Sequence, residues 1–130
     1  LLLPPITWKD SQMKTFKEFM TEERKETHYP TAREALNGLG KAKFNAIIKH
    51  PTFDSHRRAM RMGAEDSKFD VTQHGPGSYK IEVSTHPYLT TYHMSHYNGR
   101  AKIGAYHHMV ASPEDPKRYM TIKTHGYEFD

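Results

Sequence analysis

There is no cysteine among the 130 residues. That excludes disulfides, thiolate catalysis, iron–sulfur clusters and every zinc site built on Cys. Small secreted domains usually carry disulfides, so an intracellular protein is expected. Apolar residues are also scarce. They make up 35% of the chain, with a mean hydropathy of −0.87, so a core built from them must be small. No apolar run exceeds three residues, and no membrane span is expected. The first residue is Leu1, not Met. A cleaved organellar targeting peptide leaves such a start, and so does a fragment.

Catalytic signatures are missing as well. No serine sits in a glycine-flanked nucleophile elbow. The carboxylate pairs Glu22–Glu23, Glu65–Asp66 and Glu114–Asp115 fall on polar helix or loop sites, where solvation explains them. "HGPGSY" lacks the spacing of a phosphate loop and leads into a strand, so it reads as a turn. No catalytic residue, metal ligand or cofactor is expected.

Aromatic residues, by contrast, are plentiful: eight Tyr, six Phe and one Trp. A tyrosine buries a large apolar face while keeping a polar tip, which suits both a small core and a contact with a partner. Net charge is +4 with a pI near 9.2, compatible with an acidic partner or nucleic acid. Basic residues concentrate in one stretch. Lys41, Lys43, Lys49, Arg57, Arg58 and Arg61 stand there against Asp54 alone, and such a set can neutralise phosphates without reading sequence.

Periodicity divides the chain near Gly63–Ser67. Residues 1–9 form an extended opening segment, since Pro4–Pro5 forbids helix. From 10 to 63 the apolar spacing predicts three or four short helices. "SQMKTFKEFMTEERKE" places Met13, Phe16, Phe19 and Met20 on one side. Thr31 with Glu34 makes a capping box, Ser55 is a candidate cap for the last helix, and Gly63 ends it. From 67 to 130 strands follow: "KFDVTQ", "YKIEVS", a hairpin, and "RYMTIKTHGYEF". The expected fold is α+β, a single domain over 10–130 with N-terminal short helices packed on a C-terminal antiparallel β-meander.

The hairpin "TTYHMSHYNGRAKIGAYHHM" holds four of the ten histidines. Asn98–Gly99 is a strong type I′ turn signal. It sets Tyr97 against Arg100 and, carried along an unbroken ladder, Tyr92 against Ala105. Alternation then sorts two faces. Tyr92, Met94, His96, Ala101, Ile103, Ala105, His107 and Met109 form the apolar face. His93, Tyr97, Arg100, Lys102, Tyr106 and His108 belong to the other, the candidate face for a partner. In that register His93 and His108 lie on the order of 13 Å apart at about 3.3 Å per residue. One zinc with ligands at roughly 2 Å cannot join them.

Two resemblances are visible. "GPGSY" resembles the core of sperm-tail PG-rich repeats, which line ciliary microtubules; it spans five residues and occurs once. "FKEF…FNAIIKHPTF" resembles the FF domain, a helical protein-interaction module, over about residues 13 to 62. Its first connection is longer than that family's, and its last helix lacks the family's Phe.

The leading functional expectation is a non-catalytic structural subunit of a larger intracellular assembly. A mitochondrial protein or ribonucleoprotein complex suits the start and the charge. Its partners would be other protein subunits, with RNA as a further one. Alternatives are a nucleic-acid- or phosphate-binding module on 41–61, a ciliary microtubule-associated protein, and a small histidine-dependent enzyme.

Overall fold

A computed structural model describes residues 24 to 126. The expected extended opening and most of the first expected helix lie outside them. The described elements are β1 (Arg24–Tyr29), α1 (Ala32–Leu39), α2 (Lys41–Ile48), α3 (Phe53–Arg61), β2 (Lys68–His74), β3 (Ser78–Thr85), β4 (Tyr88–Tyr97), β5 (Arg100–Ala111) and β6 (Tyr119–Gly126). The six strands form one antiparallel sheet in sequence order. The helices pack on it: α1 on β1 and β2, α2 on β4 and β5, α3 on β3 and β4. This is the expected α+β arrangement.

One expected element is different. Residues 24–26 read as the end of a helix, but Arg24–Tyr29 is a strand, paired from Arg24↔His74 to Tyr29↔Phe69. Its second half, Thr27-His28-Tyr29, suits a pleated surface, and Pro30 stops it. Pairing with β2 supplies hydrogen bonds, and Tyr29 packs on the core. These tertiary gains outweigh a helix propensity worth a few tenths of a kcal/mol per residue. The stretch that resembles the FF domain therefore contains a strand, and its helices are committed to a sheet.

The helices start where their caps allow. Thr31 Oγ1 accepts from the Glu34 N–H at 3.2 Å, so one half of the capping box is made. Ala35 and Leu39, four apart, bury the inward stripe of α1. Helix α3 begins at Phe53, two residues before the expected cap Ser55. Phe53, His56 and Ala59 then fall inward at a three-residue spacing. Arg58 and Arg61 occupy the last turn of α3, where cations suit the helix dipole.

On the sheet, the inward residues Phe69, Val71, Ile81, Val83, Tyr92, Met94, Ile103 and Tyr106 meet Ala35, Leu39, Ile47 and Phe53 of the helices. Each large side chain removed from water there contributes about 1.5–3 kcal/mol. The Pro-Gly turn joins β2 to β3. Gly77 holds φ +76°, and a Cβ there would lie 2.3 Å from the carbonyl oxygen of His96. Glycine is required on both grounds.

Asn98 and Gly99 both take positive φ, 51° and 77°, as a type I′ turn demands. The expected pairs Tyr97↔Arg100, His96↔Ala101, Ser95↔Lys102 and Met94↔Ile103 are present. Beyond them the ladder slips. Tyr92 pairs with Tyr106, not Ala105, because Gly104 and Ala105 together oppose His93. The extra residue is a β-bulge, and it exchanges the faces of everything after it on β5.

Candidate functional site

The bulge builds the most chemically dense part of the protein. It turns Tyr106 and His108 inward, 1% and 5% exposed, and His107 outward. Tyr106 and His108 were expected on the outer, partner-contact face; the structure corrects both. An unbroken alternation cannot anticipate one inserted residue.

Inward, a chain of hydroxyls and imidazoles runs between α3 and the sheet. Ser67 Oγ lies 2.5 Å from Thr85 Oγ1, and Thr85 Oγ1 lies 2.8 Å from His56 Nδ1. His56 Nε2 lies 2.6 Å from Thr90 Oγ1, which is 2.7 Å from His108 Nδ1. Tyr88 stacks on His108, with ring planes 7° apart. A second chain joins His50 Nδ1 to Thr52 Oγ1 at 2.9 Å and Thr52 Oγ1 to the Tyr92 hydroxyl at 2.9 Å.

Burial governs the chemistry here. The His56 pKa is pushed down to about 3, first by burial and then by the neighbouring His108. Its ring is thus neutral at pH 7 and carries a single N–H. One of its two contacts has His56 donating, and the other has a threonine hydroxyl donating. Burial likewise raises the Tyr92 phenol, so it stays protonated. Every described contact of His56 is made within the protein, and its ring is 0% exposed. Leaving such groups unpaired would cost about 1–3 kcal/mol each. The arrangement fastens α3 to β3, β4 and β5.

These residues escaped the sequence reading. A signal was present: His56 occupies an inward position between Phe53 and Ala59, where an apolar residue is usual. No signal tied it to Thr85 and Thr90, which lie 29 and 34 residues away.

The outer face of the sheet has the opposite character. Arg24, Glu26, His28, Asp70, Thr72, His74, Lys80 and Glu82 line a shallow depression of about 590 Å³ across β1, β2 and β3. Lys80 sits opposite His93, and Thr91 opposite His107. His28 and Asp70 are in direct contact, and Lys80 lies 3.7 Å from Glu82. Desolvation holds His93 below its ordinary value, and then the nearby Lys80, His107 and His74 do so. Among the described residues no helix packs on this face, and no group of three or more His, Asp or Glu is placed to hold a metal.

Of the hairpin candidates, His93, Tyr97, Arg100 and Lys102 are exposed. The basic segment is not gathered into one patch. Lys43 donates to the Leu39 carbonyl at 3.2 Å and lies over the Tyr79 ring. Arg57 donates to Asp54 at 2.9 Å and to the Ile48 carbonyl at 2.7 Å. Both cations hold the fold together. Lys41, Lys49, Arg58 and Arg61 are exposed, with no ion pair among the described residues. No protein-family model matches the chain, nor does any curated protein or solved structure.

Proposed function

We propose that this protein is a non-catalytic subunit that joins a larger intracellular assembly through the outer face of its sheet. The observation that carries this is the contrast between the two sheet faces. One is covered by α1–α3. The other presents charges of both signs: Arg24 and Lys80 beside Glu26, Asp70 and Glu82, with Lys102 further along on β5. Mixed charge favours a protein partner over RNA, because the three carboxylates repel a phosphate backbone. Complementary charges on a partner would set orientation and register more than affinity. The interior histidines support a non-catalytic role, since His56 is enclosed and bonded within the protein.

The test is a tagged chain isolated from its own cells at physiological salt. The expected result is a defined complex that is lost on combined Lys80→Glu and Lys102→Glu substitution and kept in Arg61→Glu. A chain that runs as a free monomer in the same lysate overturns the proposal.

A second reading, a small histidine-dependent enzyme, has one observation in its favour. The Thr90 hydroxyl lies between the imidazoles of His56 and His108. A nucleophile with a base on each side would react with a small acylating probe such as a nitrophenyl ester. Turnover lost in Thr90→Val supports that reading; turnover equal to the buffer rate rejects it.

A further inference from the structure

Where α2 meets the β4–β5 hairpin there is a cleft of about 260 Å³. Two candidate sets from the sequence, far apart in the chain, come together in it: Lys49 of the basic stretch and Arg100 of the hairpin. Asn45 adds an amide. Asn45 and Lys49 are four apart, so both project from the same side of α2. Ala42 and Ala46 also line the cleft, at the same spacing, and Gly99 closes the far side. These small residues leave the room that longer side chains would fill.

The electrostatics are one-sided. No carboxylate lines the cleft. Neither Lys49 nor Arg100 makes an ion pair among the described residues, unlike Arg57 nearby. Two cations without ion pairs that line one small cleft favour an anion in it. Arg offers a planar fork that matches phosphate oxygens, Lys a point charge, and Asn a neutral donor. The volume falls below the usual 300–1,000 Å³ of a whole-ligand pocket. It suits one phosphate group with little else.

We infer that this cleft binds a phosphate group through Lys49, Arg100 and Asn45. The group would come from a small phosphate ester or from one nucleotide of an RNA. The cleft shares none of the charged residues from which the assembly proposal is argued, so its failure would leave that proposal standing.

The test is an NMR titration of the isotope-labelled chain with inorganic phosphate at constant ionic strength. Saturable shifts are expected at the backbone amides of Asn45, Lys49, Gly99 and Arg100. The Lys49→Gln, Arg100→Gln double variant should bind at least tenfold more weakly, since both charge-assisted contacts are lost. An Arg58→Gln, Arg61→Gln control should bind unchanged. Two further arms identify the source. Adenosine monophosphate saturating the same amides, with single-stranded RNA no tighter, assigns a small ester. RNA at least tenfold tighter, weakening steeply with salt, assigns RNA. No saturable shift at these amides, or shifts that persist in the double variant, overturns the inference.

Discussion

His107 and His108 are adjacent in sequence and lie on opposite faces of the same sheet. His108 is enclosed, bonded to Thr90 and stacked on Tyr88. His107 faces outward beside Thr124. The same contrast separates His56 from His93. Both have lowered pKa values, but His56 is pushed down to about 3 by burial and His108, while His93 is held down by desolvation and the charges of Lys80, His107 and His74. Inside, an imidazole is a fixed two-ended connector between threonines. Outside, it is a surface group open to solvent. Alternation along β5 separates His107 from His108, and the bulge at Gly104–Ala105 decides which of the two points inward.

The contrast can be broken at its source. Deleting Gly104 restores an unbroken ladder and drives Tyr106 and His108 outward. Losing two buried aromatic rings should cost about 4 kcal/mol or more, a large share of a typical 5–15 kcal/mol stability. Loss of a cooperative thermal transition by circular dichroism is the expected result; a transition like that of the unaltered chain would show that the bulge does not sort the faces.

Removing one connector has a smaller effect. His56→Ala opens a cavity and takes one of the hydrogen-bond partners from each of Thr85 and Thr90, for an expected loss of about 3 kcal/mol in urea unfolding. A loss below about 1 kcal/mol would mean that the network carries little.

Acidification probes the same ring. Because the folded pKa of His56 lies below the unfolded 6.5, the unfolded chain takes up the proton first. Its contribution is therefore full above pH 6.5 and is lost as the pH falls from there toward 3. The slope should approach about 1.4 kcal/mol per pH unit, and His56→Gln should be less steep by that amount. Equal slopes in the two proteins would contradict the burial of a neutral ring. On the outer face, His93→Ala should change stability by no more than about 0.5 kcal/mol. A larger loss would place His93 within the fastening network.

Much of this architecture was legible because it rests on local chemistry. Asn98–Gly99 fixed its turn and four flanking pairs. Alternation in "KFDVTQ" and "YKIEVS" located β2 and β3, and Thr31 marked the start of α1. What was not legible depends on distant parts of the chain. Residues 24–26 read as helical until β2 supplied a pairing edge. Gly104 gives no sign of a bulge unless Tyr106 has an interior to enter. His56 reads as a polar helix residue until Thr85 and Thr90 arrive from two strands. For the candidate sites, exposure of His93, Tyr97, Arg100 and Lys102 followed from the register near the turn. Tyr106 and His108 lay beyond the slip, where that register no longer held.

The most direct measurement is the rate at which each histidine ring reacts with diethylpyrocarbonate in the native protein, read by mass spectrometry. His107 and His93 should be modified readily, and His108 and His56 should be protected until the protein unfolds. Modification of His108 as fast as His107, or His107 protected while His108 reacts, would contradict the bulged register and the two-faced sheet built on it.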